Sequence, residues 1–237
     1  MTQDAQADRI AALGAELAAL RADNARLRRL LDARSASGEL RHRQRNTFAM
    51  LRMLIRASSE AAGDLEAYVS HLEDRLDAVA RVQAAIDVSG HVELADLIAS
   101  ELLAYTVREG EQATLAGPAV RLQPQAAQVL ALAVHELAIN AIEHGCLARP
   151  SGCLDVRWSH DAAGDGAPLT FVWKETGDRG LAAPVRRGFG TEVLTETLAY
   201  ELKAVAALSY EPDGLRCTIR FPLPERIGSV LADDAPA

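Results

Sequence analysis

Between Ala126 and Leu147 runs a segment whose apolar residues, Val129, Leu130, Leu132, Ala133, Leu137 and Ile142, recur at helical spacing. Pro124 stands just ahead of it, where a helix can begin without losing a hydrogen bond. Such a run reads as a core helix, and the rest of the chain has to supply its cover. Two polar residues interrupt it. Glu136 and Asn140 lie four apart and share a face, with His135 offset by one position. A carboxylate and an amide are costly to bury unless polar groups meet them. One reading is a polar stripe at the surface of a core helix. The other is a face turned to a nucleotide with Mg2+, the amide oxygen on the metal and the carboxylate orienting water or accepting a proton.

Upstream, residues 8–31 carry a heptad. Ile10, Leu17, Asn24 and Leu31 occupy its a positions and Leu13, Leu20 and Leu27 its d positions. Leucine at d with one Asn at a predicts a parallel two-stranded coiled coil in which the two Asn side chains fix the register. Glu16 with Arg21, and Asp23 with Arg28, add charge pairs between strands. Ser35-Ala36-Ser37-Gly38 breaks the seam. A helix follows through Leu40, Phe48, Leu51 and Ile55, then a turn over Ser58–Asp64. A second helix points Leu65, Val69, Leu72, Leu76, Val79 and Val82 inward and ends near Ile86. A hairpin of two helices buries one face poorly, and pairing two hairpins into a four-helix bundle remedies that.

From His91 the pattern changes. A helix from Val92 to about Tyr105 precedes strands at Ala113–Leu115 and Val120–Leu122, and the core helix comes next. Strands are expected at Cys153–Ser159 and Leu169–Trp173, a helix at Thr191–Leu202, and a hairpin from Val205–Tyr210 to Arg216–Phe221 around Pro212-Asp213-Gly214. Helices on one face of a mixed sheet make an α+β sandwich. The expected domains are a coiled coil at 1–36, a helical hairpin at 37–90, the sandwich at 91–224 and a disordered tail at 225–237.

The chain has 237 residues, room for one or two domains. A net charge of −8 argues against a nucleic-acid binder, which would show a basic face. Cys146, Cys153 and Cys217 form no C-x-x-C pair and read as reduced thiols in or near the core, so no disulfide framework or zinc site is expected. No apolar run is expected to span a bilayer and the N-terminus is no signal peptide, so a cytoplasmic protein without membrane insertion is expected.

Downstream of the core helix stand Trp173-Lys174-Glu175-Thr176-Gly177 and Gly188-Phe189-Gly190-Thr191. In this order they resemble the ATP-binding boxes of histidine kinases. His135 together with Trp173-x-Glu175 resembles the HWE histidine kinases, named for such a His and Trp-x-Glu. Glu39-Leu40-Arg41-His42-Arg43-Gln44-Arg45-Asn46 resembles the family's phosphoacceptor box, and the resemblance runs on through Leu198–Leu202 and Pro212–Ile219. It spans about Gly38 to Pro224. It implies that the sandwich is the Bergerat-type ATP-binding domain shared with gyrase and MutL-type ATPases.

The resemblance implies roles residue by residue. His42 would be the phosphoacceptor, an imidazole nucleophile near neutral pH. Arg45 and Asn46 share its helical face and, with Arg43, would hold the incoming phosphoryl group. Where Arg45 stands the family usually has Lys, which keeps the charge and changes the geometry. Asn140 would ligate Mg2+, and Glu136 would polarise water or take the proton lost by His42. Glu175 and Gly177 match the acid-x-Gly step that reads the adenine amino group. Gly188 and Gly190, ahead of a helix, would offer backbone N–H groups to phosphate. His135 completes the nucleotide site.

Two departures bear on ATP. The family tends to continue Gly-Pro where this chain has Asp178-Arg179, and often has Lys where Glu143 stands. A carboxylate beside a triphosphate repels it, and Arg186 and Arg187 could compensate. The leading expectation is a dimeric cytoplasmic kinase that uses ATP and Mg2+, phosphorylates His42 and serves a response-regulator receiver domain. A second expectation is a histidine phosphotransferase or regulator phosphatase of the same fold with a degenerate nucleotide site. A third is a coiled-coil adaptor.

Overall fold

A computed structural model describes residues 47–48, 50–52, 54–55, 58, 65–161, 167–177 and 189–231. The heptad, His42, Arg43, Arg45, Asn46, Asp178, Arg179, Arg186, Arg187 and Gly188 lie outside the described residues. The chain divides into two units, Met1–Met53 and Leu54–Ala237. In the first, residues 47–48 and 50–52 are helical.

The second unit opens, in its described elements, with helix α1 (Leu65–Ser89), followed by strand β1 (Val92–Glu93) and helix α2 (Leu94–Ala104). Next come β2 (Ala113–Ala116), β3 (Val120–Leu122) and the core helix α3 (Pro124–Glu143). Strands β4 (Cys153–His160) and β5 (Pro168–Thr176) precede α4 (Phe189–Glu192), which runs through a π-helical stretch (Val193–Thr197) into α5 (Leu198–Leu202). The hairpin β6 (Val205–Glu211) and β7 (Gly214–Pro222) and the strand β8 (Gly228–Val230) complete the described order.

Five strands form the main sheet in the order β2-β4-β5-β7-β6, with β2 parallel to β4 and the other pairs antiparallel. Alternation decides its faces. Leu154, Val156 and Trp158 of β4, Leu169, Phe171 and Trp173 of β5, and Cys217, Ile219 and Phe221 of β7 are all buried on one side. The register sets Trp173 opposite Val156 on one flank and Cys217 on the other. A smaller antiparallel sheet, β1-β3-β8, closes the other end of the unit.

Helix α3 begins with Pro124 in its first turn and buries nearly every side chain from Ala126 to Ala138. The stretch Pro124–Ala148 is in fact long and apolar enough to cross a membrane by length and composition, which corrects the expectation that no run reaches that length. Its most apolar part is 72% buried inside the protein, and that burial accounts for its apolarity.

Helix α1 differs from expectation. Leu65 is 76% exposed and Val69 is 42% exposed, while Arg75, Ala78, Val82 and Ile86 are buried. The helix carries two stripes, and the second, at intervals of three and four, packs on α2 and α3. This groups α1 with the sheet unit, whereas the sequence reading placed it in a separate hairpin. Gly90, with φ of 76°, ends α1 in the left-handed conformation that glycine adopts without strain.

Two further boundaries move. Val92–Glu93 is a strand paired with β3, and α2 begins only at Leu94. The expected tail contains β8, with Val120 opposite Val230 and Leu122 opposite Gly228. The small sheet needs a third strand to cover β3, and residues 228–230 supply it. Cys146 and Cys217 are buried and Cys153 is exposed.

Candidate functional site

A cavity of about 470 Å³ opens beside α3. From α3 it takes Glu136, Asn140 and Glu143, and from the start of α4 Phe189, Gly190 and Thr191. The sheet contributes Glu175 and an apolar wall of Leu208, Tyr210 and Leu215. Helix α1 adds His71, Asp74 and Arg75. The cavity thus joins His135, Glu136, Asn140, Glu175 and Gly190, residues that the sequence separates by up to 55 positions. An apolar wall facing a few convergent polar groups suits a ligand with a flat ring and a charged tail.

Glu175 owes its place to strand alternation. It lies two residues after Trp173, on the same buried face of β5. The Trp173 indole N–H donates to Glu175 Oε1 at 3.0 Å, and the Cys146 backbone N–H donates to Oε2 at 3.1 Å. A buried indole needs an acceptor, so the Trp-x-Glu spacing is explained before any ligand is considered. Gly145 makes the approach possible, since a Cβ there would collide with Glu175 Oε2. Burial and the nearby Glu175 charge push the thiols of Cys146 and Cys217 up to about 12, so both stay protonated.

His135 is 2% exposed, and its Nδ1 lies 3.4 Å from the Tyr105 hydroxyl and 3.5 Å from Glu101 Oε2. Arg81 of α1 donates to both oxygens of Glu101, from Nε at 3.1 Å and Nη2 at 2.8 Å. Burial alone would push the Glu101 carboxyl up. The bonds from His135 and Arg81 outweigh it and hold the group below its ordinary range. Tyr105 is pushed up to about 12 by burial, with the charges of Asp74 and Glu101 adding to it. His135 is therefore the cavity end of a buried chain reaching from α3 through α2 to α1.

Gly177 is not part of the cavity lining. Its φ is 93°, its N–H donates to the Asp213 carbonyl, and a Cβ would stand 2.9 Å from Gly152 Cα and Ser151 O. It permits a close approach, but to the loop before β4. Glu143 does line the cavity, with its side chain about half exposed. Sequence reasoning missed Arg75, whose Nε donates to Glu136 Oε1 at 2.7 Å. The available signal was its line with Ala78, Val82 and Ile86, an arginine where a buried position was due. The π-helical stretch contributes Leu194 to the cavity wall, and such stretches often lie at functional sites.

The family model for HWE histidine kinase matches residues 39–119. Blue-light-activated histidine kinase 1 of Erythrobacter litoralis is 31% identical over 198 residues, which is 80% of this chain and 53% of that protein. The chain belongs to the HWE histidine kinase family. A blue-light-activated histidine kinase of Rhizobium johnstonii is 29% identical over 186 residues, 78% of this chain and 52% of that protein. This HWE chain therefore spans about half the length of the curated relatives it matches. Among solved structures, an Erythrobacter litoralis blue-light activated histidine kinase superposes with a TM-score of 0.59 at 22% identity. That match covers 80% of this chain and 59% of the other. The histidine kinase domain of that protein superposes at 0.53 and 19% identity, covering 77% of this chain and 96% of the domain. Both show the α+β fold. His135 and Glu175 line this one cavity, with Trp173 buried behind Glu175.

Proposed function

We propose that this chain carries the phosphoacceptor and nucleotide-binding parts of a histidine kinase, which moves the γ-phosphoryl group of ATP to His42. In that step an imidazole nitrogen of His42 bonds to the γ-phosphorus. The bond from that phosphorus to the bridging oxygen breaks, and its electron pair leaves on ADP. The imidazole proton passes to a base, a role we assign to the Glu136 carboxylate. Transfer to a receiver-domain aspartate of a response regulator would break the N–P bond and return the electron pair to the imidazole.

The observation that carries this reading is the cavity itself. It brings Glu136, Asn140 and Gly190 into one lining with Glu175 and the apolar residues Leu208 and Leu215, in a chain of the HWE family. In this reading adenine would lie against the apolar wall, with its amino group toward Glu175. Among the described residues no group of three or more His, Cys, Asp or Glu could hold a metal. This suits Mg2+, which binds through nucleotide phosphates and one or two protein oxygens, here the Asn140 amide. Bound there, the ion would offset phosphate charge and polarise the γ-phosphorus. Leu65 and Val69, exposed on α1, and the heptad at 8–31 support a homodimer. The composition favours a cytoplasmic setting.

A second reading has one observation behind it. Asp74, Glu136, Glu143 and Glu175 line the cavity against the single guanidinium of Arg75, among the described residues. An acidic pocket of this kind weakens polyphosphate binding and suits a phosphotransferase or regulator phosphatase. Incubating the chain with Mg-ATP labelled at the γ-phosphate decides between them. Label on the wild type and none on His42→Ala supports the kinase. Label retained by the variant would move the acceptor, with His71 in the cavity wall as the next candidate. An unlabelled wild type that accepts phosphate from a phosphorylated regulator supports the second reading.

A further inference from the structure

Arg75 reaches the cavity from α1 and is held at three points. Its Nε donates to Glu136 Oε1 at 2.7 Å, its Nη1 donates to Ser58 Oγ at 2.7 Å, and its guanidinium lies 4.0 Å over the Phe189 ring. The side chains of Arg75 and Glu136 are 6% and 9% exposed. An ion pair this deep contributes little net stability over apolar residues of similar size, because both ions lose their water. The stripe it stands in, with Ala78, Val82 and Ile86, would accept an apolar side chain. Stability alone therefore gives no reason for an arginine here.

The grip on Glu136 is uneven. Arg75 Nη2 stands 3.4 Å from Oε2, well outside the 2.7 Å of the Nε contact. Oε1 is anchored and Oε2 keeps most of its accepting capacity. Gly190 shows where Oε2 points. A Cβ on that residue would lie 3.3 Å from Glu136 Oε2 and 3.3 Å from Asn140 Nδ2. The more weakly held carboxylate oxygen, the amide of Asn140 and the bare backbone of Gly190 therefore converge on one spot. Phe189, under the guanidinium, is the residue immediately before that glycine.

We propose that Arg75 is a positioning residue through which α1 holds Glu136 Oε2 toward the convergence point with Asn140. This rests on the kinase reading and deepens it. Arg75 acts through Glu136, so its removal should affect transfer more than binding.

The test uses the full chain with labelled Mg-ATP, initial rates over a range of ATP concentrations, and calorimetry with Mg-ADP. Arg75→Met should lower kcat about 10- to 100-fold while KM and ADP affinity stay within about twofold. Arg75→Lys should restore part of the rate, because an ammonium keeps the charge without the fork. Arg75→Met alone leaves a buried carboxylate unpaired and could misfold, so the double variant Arg75→Met with Glu136→Gln is made as well. It should be no slower than Glu136→Gln alone, since an effect exerted through Glu136 vanishes with it. Arg75→Met labelling as fast as the wild type, or faster, would overturn the role. So would a further equal loss in the Glu136→Gln background, or a loss confined to KM and ADP affinity. A wild type that binds Mg-ADP but takes no label would overturn the kinase reading and this role together.

Discussion

Glu143 and Asn140 lie three residues apart on α3 and both line the cavity, one offering a charge and the other a neutral oxygen. Asn140→Ala should abolish Mg-dependent nucleotide binding in calorimetry, because a methyl group cannot ligate the ion. Glu143→Lys should tighten Mg-ATP binding several-fold. The half-exposed position limits the gain to about 1 kcal/mol, and unchanged affinity would place the phosphates elsewhere. At this scale much was legible. Glu136 and Asn140 stood out as polar types on an otherwise apolar helix, and Glu175 through its Trp-x-Glu motif. Arg75 and Glu101 did not, because their meaning lies in partners. Arg75 meets Glu136 across 61 positions, and no local pattern encodes such a pair. Gly177 looked like a ligand residue by motif, and only its neighbours Ser151 and Gly152 show what its missing side chain makes room for.

Helices α1, α2 and α3 are tied by the chain from Arg81 through Glu101 to His135 as well as by apolar contact. Glu101→Gln should lower stability by about 2 kcal/mol in urea titrations. Arg81 can turn to water, and the cost falls chiefly on the buried His135 side. The pH dependence has a definite sign. Glu101 is held below its ordinary 4.5 in the folded chain. Its contribution is therefore complete above that value and is lost as pH falls through the lower folded value. Acid titration of the wild type and Glu101→Gln should converge at low pH, and parallel curves would exclude this account. Strands β4, β5 and β7 were legible from period-two alternation, and α3 from its apolar period and leading proline. The Arg75 stripe of α1 went unread because two faces of that helix are apolar, and only packing shows which one the sheet unit covers. Strand β8 was missed because three residues are too few to show alternation.

For the whole molecule, the heptad and the exposed Leu65 and Val69 argue for association through elements ahead of the sheet. Deleting residues 1–34 should weaken self-association in light scattering while the thermal transition of the sheet unit is retained. A wild type that stays monomeric at micromolar concentration would show that the heptad does not pair chains. The α+β class was legible in the order of periods along the chain. The cavity between α1 and the sheet was not, because it exists only once α1 turns its Arg75 stripe to α3.

The small sheet sets a timetable on the ribosome. Strand β3 is made early and sits between β1, also made early, and β8, whose Val230 pairs with Val120 across 110 intervening steps of synthesis. The Ile227 carbonyl accepts from the Gln123 N–H at the entry to α3. Until that segment emerges, β3 has a bare edge and the start of α3 has an unanswered donor. At typical elongation rates of about 5–20 residues per second, the nascent chain spends several seconds in that state. The residues that line the cavity, as far as Leu215, all precede that segment in synthesis. Closure of the unit is postponed to the arrival of a three-residue strand, which makes that edge the place where a chaperone or a neighbouring nascent chain would compete with folding.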